Sequence, residues 1–310
     1  MSTVLVTGGA GFIGRWVVKK LLSMGHEVVV IDNLTNGSIQ NVREFIGGSN
    51  FCFIEGDILN QEKLSSLFRR GIDLCIHLAA RINVQESINF PEVFIKNNIV
   101  GTYQILEECR KRDSKVVLVG TCMVYDTSTS KPINEEHPLK PASPYAASKL
   151  AAEELAISYF NTYGLPVVLT RPFNTYGPFQ KSNLEGGVVS IFIKRSLKGK
   201  PLLVFGDGEQ TRDLLYVEDC AEFIVEAAFN KHAIGEVINA GTGEDISVNE
   251  LALMICGNKS KIKHIPHPHP QSEIRRLVCD YSKAKNLLGW KPQTSLKEGL
   301  EKTKQWLAKR

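Results

Sequence analysis

A β-rich run, Val4-Leu5-Val6-Thr7, passes directly into Gly8-Gly9-Ala10-Gly11-Phe12-Ile13-Gly14 and then into a helical pattern from Trp16 to Met24 that ends near Gly25. Few folds accommodate a strand, a glycine turn and a helix in immediate succession. Glycines let the turn be tight and let a ligand's phosphates approach the backbone, and the helix start offers free N–H groups and a positive dipole end. The context makes a glycine-rich turn without a ligand the weaker reading. The next strand, Glu27 to Ile31, ends in Asp32, 18 residues after Gly14. A carboxylate there accepts from adenosine ribose hydroxyls and repels a 2′-phosphate, which favours NAD over NADP. Arg15 is a counter-signal, since an arginine nearby can accommodate that phosphate.

Further strands are predicted at 51–55, 73–77 and 115–119, with helical patterns at 61–69 and 91–112 between them. This βα alternation predicts an α/β fold with a Rossmann-type doubly wound parallel sheet. A chain of 310 residues, 43% hydrophobic, has room for about two domains. Pro178, Gly186-Gly187, Gly199, Pro201, Gly206 and Gly208 punctuate the region after about residue 173. The net charge of +4 is too small to suggest nucleic acid, though it suits an anionic substrate. No apolar run approaches a membrane span, and no signal peptide is evident at Met1-Ser2-Thr3. Seven dispersed cysteines without a CxxC pair read as reduced thiols of a cytoplasmic protein.

Mid-chain stands Ser143-Pro144-Tyr145-Ala146-Ala147-Ser148-Lys149. Ser143 can cap a helix whose first residue is Pro144. Tyr145 and Lys149 then share one face. An ammonium near a phenol favours the phenolate, which suits acid/base work. Taken alone, a surface Tyr-Lys pair is the better explanation, because Tyr-x-x-x-Lys is short and common.

Together these segments resemble the extended short-chain dehydrogenase/reductase family of nucleotide-sugar epimerases and dehydratases, over nearly the whole chain. Thr7 to Gly14 is similar to its TGxxGxxG, Asp57-Ile58 to its adenine-contacting pair and His77-Leu78-Ala79-Ala80 to its HxAA. Asn98 corresponds to a helix asparagine of structural and cofactor-side importance, Thr121 to the catalytic Ser/Thr, and Tyr145 with Lys149 to YxxxK. Arg171 to Pro178 resembles RxxNxYGP, and Gly206 to Asp219 resembles GDGxQxRDxxYVxD. Asp280 to Trp290, followed by Pro292, resembles the family's closing segment.

The resemblance implies an NAD-binding domain of residues 1–173 plus about 214–240, and a nucleotide-sugar domain of about 174–213 and 241–310. It implies NAD contacts at Gly8, Gly11, Phe12, Ile13, Gly14, Asp32, Asn33, Asp57, Ile58, Leu78, Ala79, Ala80, Asn98, Tyr145, Lys149 and Pro172. Sugar-nucleotide contacts are implied at Val84, Thr121, Cys122, Met123, Tyr145, Asn174, Val188, Arg212 and one of Arg275 and Arg276. Arg212 is the candidate pyrophosphate clamp, because a guanidinium holds phosphate in a fork. The stretches 83–88, 122–126 and 180–190 are expected to line the sugar pocket. The helices at 91–112 and 144–163 pair across a homodimer interface in the family.

The common step is oxidation of a sugar C4 hydroxyl, with Tyr145 as base, Lys149 lowering its pKa and Thr121 in the same hydrogen-bond set. Dehydratases of the family commonly carry Asp-Glu where this chain has Cys122-Met123, and decarboxylases carry Ser-Glu. Met123 has no proton to give, which tilts the reading to a 4-epimerase acting on a UDP-hexose, UDP-glucose/galactose or their N-acetyl forms. The alternative is a 4,6- or 5,6-dehydratase with Cys122 as an added catalytic group; the bland reading of Cys122 is a small core thiol. A non-catalytic NAD sensor and a plain dehydrogenase are further readings. Asp126 is either a loop change or an extra carboxylate near the sugar, and Ile82 stands where one branch of 4-epimerases has lysine. His267 and His269 alternate with prolines and lack partner spacing, so no metal is expected.

Overall fold

The computed structural model describes residues 1–128, 131–182 and 187–309. The chain opens with β1 Thr3–Thr7, α1 Phe12–Ser23, β2 Glu27–Asp32, β3 Phe51–Glu55, α2 Gln61–Phe68 and β4 Leu74–His77. There follow α3 Val84–Asn89, α4 Pro91–Phe94, a π-helical turn Ile95–Val100, α5 Gly101–Arg112 and β5 Lys115–Val119. A 3-10 turn at Cys122–Val124 precedes α6 Pro144–Tyr163, β6 Val167–Pro172, β7 Asn174–Tyr176 and α7 Val188–Leu197. Next come β8 Leu202–Phe205, β9 Thr211–Arg212, β10 Leu214–Tyr216, α8 Val217–Phe229, β11 Val237–Ala240, β12 Ile246–Ser247 and α9 Val248–Cys256. β13 Ile262–Ile265, β14 Arg276–Leu277, α10 Ser282–Leu288 and α11 Leu296–Ala308 close the chain.

Seven strands form one parallel sheet in the order β11-β6-β5-β4-β1-β2-β3. This is the expected Rossmann-type doubly wound architecture. Val4, Leu5 and Val6 of β1 are fully buried, because helices cover both faces of a parallel sheet. Side chains such as Val6, Val30 and Phe223 fill one face, and Leu5, Ile31 and Leu118 the other. Each fully buried aliphatic residue contributes about 1.5–3 kcal/mol. Chain order reverses between β1 and β4, so the crevice for a ligand opens at their carboxyl ends. A separate core of Val189, Phe192, Ile193, Leu202, Val204 and Leu251 joins α7, α9 and β8.

Two helices differ from expectation. The helix after the glycine turn starts at Phe12, with Gly11 as its N-cap. The single helix expected at 91–112 is broken. Pro91 pushes Phe90 out of the helical region, to φ −136° and ψ 63°. The turn Ile95–Val100 then widens to π geometry and carries the buried Asn98.

Candidate active site

The glycine turn closes on itself. Gly11 N–H donates to Gly8 O (3.0 Å), and the first helical amide to find a carbonyl is Arg15, on Gly11 O (3.2 Å). The N–H groups of Phe12, Ile13 and Gly14 are thus the open donors of α1. Gly8 lies at φ +72°, and a Cβ there would stand 2.8 Å from Ala79 N. Only glycine lets β1 run that close to the Leu78-Ala79 backbone. Asp32 is buried at the end of β2, where Oδ2 accepts from Ala10 N (3.0 Å) and Oδ1 from Leu34 N (2.8 Å). Burial raises its pKa, against those two hydrogen bonds. Asn33 donates to Asp57 Oδ2 (2.9 Å), and Asp57 Oδ1 accepts from Leu59 N (2.8 Å), beside the buried Ile58. Arg15 is buried and turned away from this cluster. Its guanidinium donates to Asn41 O (3.1 Å), pairs with Glu44 and stacks 4.0 Å from the Phe179 ring centre.

A chain of hydroxyls ties β1 and β4 to the π turn. Ala79 N–H donates to Thr7 Oγ1 (3.1 Å), which lies 2.7 Å from His77 Nδ1. His77 Nε2 lies 3.0 Å from Thr102 Oγ1, which donates its proton to Asn98 O (2.6 Å). Thr102 therefore accepts from Nε2–H, and Thr7 donates to Nδ1, which fixes a neutral imidazole. Burial, helped by the charge of Lys149, pulls its pKa down to about 3. Asn98 Oδ1 accepts from Arg81 N (2.8 Å), while Nδ2 donates to Arg81 O (3.0 Å) and Ser148 Oγ (2.9 Å). The side chain pins the loop after β4 to α6.

Ser143 caps α6 through Ala146 N (3.2 Å), and Pro144 is its first residue. Tyr145 and Lys149 are both buried on the face turned toward β5. Thr121, two residues past β5, stands near the Tyr145 hydroxyl and accepts from Met123 N (3.3 Å). Burial pushes Tyr145 up to about 12, and the Thr121 hydroxyl opposes that rise. Lys149 Nζ donates to Val119 O (2.7 Å), and burial pulls it down to about 8.

Cys122 is a buried thiol packed with Val124, Tyr125, Phe173 and Cys279, with Sγ 4.0 Å from Asn174 Oδ1. Burial pushes its pKa up to about 12. Met123 and Val84 are half-buried, as are Asn174 and Val188, the first residues of β7 and α7. Leu78, Ala79 and Ala80 continue from β4, and Pro172 ends β6. Ile82 is exposed. Asp126 pairs with Lys140 (3.4 Å) and accepts from Thr127 N (2.8 Å). Within 180–190, residues 183–186 lie outside the described residues.

Arg212, Arg275 and Arg276 each face a carboxylate. Arg212 donates to the carbonyls of Thr211 (2.7 Å) and Ile274 (2.8 Å) and pairs with Glu273. Glu273 also accepts from His267 (3.0 Å), whose Nδ1 accepts from His269 N (3.0 Å). Arg275 forks onto the exposed Asp207 (3.0 and 3.1 Å), while Arg276 pairs with Asp245 (2.9 Å). Sequence reasoning missed Glu273, the Thr7–His77–Thr102 chain and the buried Glu153–Arg171 pair. Only the Lys149–Glu153 spacing of four was a usable signal.

The open amides and the glycine cradle against Ala79 fit a dinucleotide's phosphates. A family model described as GDP-mannose 4,6 dehydratase matches residues 5–303. A UDP-glucose 4-epimerase from Mycolicibacterium smegmatis is 37% identical over 96% of both chains. Pal from Bacillus thuringiensis is 54% identical over 99% of each chain, with a TM-score of 0.97. A UDP-glucose 4-epimerase from Thermus thermophilus, solved in complex with NAD, is 34% identical over 99% of each chain, with a TM-score of 0.90. Other relatives carry the names of dehydratases and decarboxylases. With the glycine cradle, the Thr-Tyr-Lys set and the likeness running end to end, this chain belongs to the NAD-dependent nucleotide-sugar epimerases and dehydratases of the extended short-chain dehydrogenase/reductase family.

Proposed function

We propose that the protein is a nucleotide-sugar 4-epimerase acting on a UDP-hexose, UDP-glucose/galactose or their N-acetyl forms. One observation carries the reading. Tyr145, Lys149 and Thr121 converge at the end of β5, while the neighbouring side chains are a protonated thiol, Cys122, and a thioether, Met123. At positions 122 and 123, where the family's dehydratases carry Asp-Glu, neither residue is a carboxylate. When bound, NAD accepts the hydride of the sugar carbon. Gly8, Gly11, Phe12, Ile13 and Gly14 would hold its pyrophosphate, Asp32 and Asn33 a ribose, and Asp57 and Ile58 the adenine. Leu78, Ala79, Ala80, Asn98 and Pro172 would line its nicotinamide half, and Lys149 would hold the second ribose.

Tyr145 Oη, as the phenolate, takes the C4 hydroxyl proton as hydride leaves C4, and Thr121 stabilises the phenolate beforehand by donating a hydrogen bond to it. The burial that raises Tyr145 also excludes water from the 4-keto sugar. After the sugar turns over, Tyr145 gives the proton back. Asn174, Val84, Met123 and Val188 would border the sugar, and Arg212 with Arg276 would bind the diphosphate once Glu273 and Asp245 yield. Seven unpaired cysteines suit the cytoplasm, and among the described residues no helix is long and apolar enough to cross a membrane. Exposed Phe90, Ile95, Tyr103 and Tyr163, on or beside α3 to α6, support a homodimer through that side.

The test is incubation with UDP-, dTDP-, CDP- and GDP-sugars, read by mass and NMR. An isomer of unchanged mass, inverted at C4, is expected. A product lighter by one water would favour the dehydratase, whose proton donor would be Cys122. Unchanged sugar throughout the panel would overturn both.

A further inference from the structure

Glu153 is fully buried and takes no part in the chemistry described so far. It lies one helical turn beyond Lys149, so Tyr145, Lys149 and Glu153 form a ladder along one face of α6. Its Oε2 accepts from Arg171 Nε (2.9 Å) and Nη2 (2.8 Å). Arg171, also buried, donates through Nη1 to Tyr125 Oη (2.8 Å), which donates to Asn239 Oδ1 (2.8 Å). The other oxygen, Oε1, has no hydrogen-bond partner among the described residues. It abuts Gly120, where a Cβ would stand 2.0 Å away. A single fork on Oε2 therefore fixes the carboxylate, and its free oxygen sits against the β5 terminus that carries Val119 and Thr121.

We propose that Glu153 is a positioning residue for Lys149: a carboxylate clamped by Arg171, whose charge keeps the buried lysine an ammonium. This rests on Lys149 belonging to the reacting set. A buried unpaired ammonium is costly, and burial favours its neutral form. The groups facing Lys149 are few. Tyr145 on its own helix is a neutral phenol, Val119 O on β5 is a dipole, and His77 on β4 is neutral. Arg171 on β6 is turned to Glu153 and Tyr125. Among the described residues, Glu153 is the one charge that opposes burial at Lys149. Burial raises the pKa of Glu153, and the charge and hydrogen bonds of Arg171 oppose that rise.

The test follows Lys149 by NMR titration of 13Cε-lysine protein, with Lys149→Met assigning the signal. In Glu153→Gln the titration is expected to fall by about one pH unit or more, and the alkaline limb of kcat/KM should follow. A purely structural Glu153 would lower melting temperature and leave the Lys149 titration in place, and that result overturns the proposal. If Glu153→Gln strands Arg171 and fails to fold, the double variant Glu153→Gln/Arg171→Met removes both charges and takes its place. The same fall is expected there, and an unmoved titration again overturns the proposal. Separately, full sugar conversion by Lys149→Met would overturn the role of Lys149, whatever the titration shows.

Discussion

Gly14→Ala should separate cofactor binding from folding. A Cβ at Gly14 would lie 2.2 Å from Gly8 O and 2.8 Å from Gly9 Cα. Both are backbone atoms, so no side chain can swing aside. The turn must retreat by about 1 Å, as in an overpacked core, at about 1–3 kcal/mol. For a chain of this size that lowers the melting temperature by several degrees, about 2–4 °C per kcal/mol. The retreat also shifts the open amides of Phe12 and Ile13 away from a bound pyrophosphate. Losing one charge-assisted hydrogen bond, about 1.5–3 kcal/mol, weakens NAD about 10- to 150-fold. Gly25→Ala is the control. Gly25 sits at φ +81° with nothing within 4 Å of a Cβ, so alanine costs about 1–2 kcal/mol in backbone strain alone. Calorimetric titration of NAD into nucleotide-stripped protein reads the difference. If Gly14→Ala binds NAD within about threefold of wild type while melting as low as Gly25→Ala, the turn is not the phosphate cradle.

Tyr145→Phe should lower sugar turnover by about 10²- to 10⁴-fold with NAD binding retained, and weakened NAD binding would reassign the residue. Thr121→Val removes the hydroxyl that opposes the rise of Tyr145, so the acid limb of kcat/KM should move to higher pH; an unmoved limb refutes the link. Arg212→Met should weaken UDP binding about 10- to 100-fold by isothermal titration, while Glu273→Gln, which frees the guanidinium, should tighten it. Equal affinities in all three proteins would place the diphosphate elsewhere. His77 takes up a proton near pH 3 folded and near 6.5 unfolded. Between those values the unfolded chain binds the extra proton, so stability falls as pH falls, by up to about 1.4 kcal/mol per unit. His77→Asn should flatten that slope in urea unfolding.

The sheet was legible because its strands are short, apolar and separated by helical periods. Phe51–Glu55 and Lys115–Val119 fall at the predicted residues. The break in 91–112 was signalled by Pro91 but hidden by the apolar residues on either side. The π turn had no local signal, since the wide turn suits Asn98, whose partners Arg81 and Ser148 are 17 and 50 residues away. Arg15 misled for a similar reason. Its place directly after the glycine turn made it a counter-signal for a 2′-phosphate, whereas the fold packs it against Glu44 and Phe179.

The least legible feature is how dry the reacting set is. Tyr145, Lys149, Glu153, Arg171 and His77 are all buried together. Burial drives a phenol toward its neutral form and a lysine toward its free amine, both against the chemistry. An ammonium and a phenol that must ionise therefore survive there only with fixed dipoles and charges arranged around them. The structure supplies the Thr121 hydroxyl for Tyr145, and the Glu153 carboxylate with the Val119 carbonyl for Lys149. Tyr-x-x-x-Lys names the groups proposed to react. The residues that make the pair usable lie one turn further along α6 and at the end of β5, and the neutral His77 between Thr7 and Thr102 adds no second positive charge to the pocket.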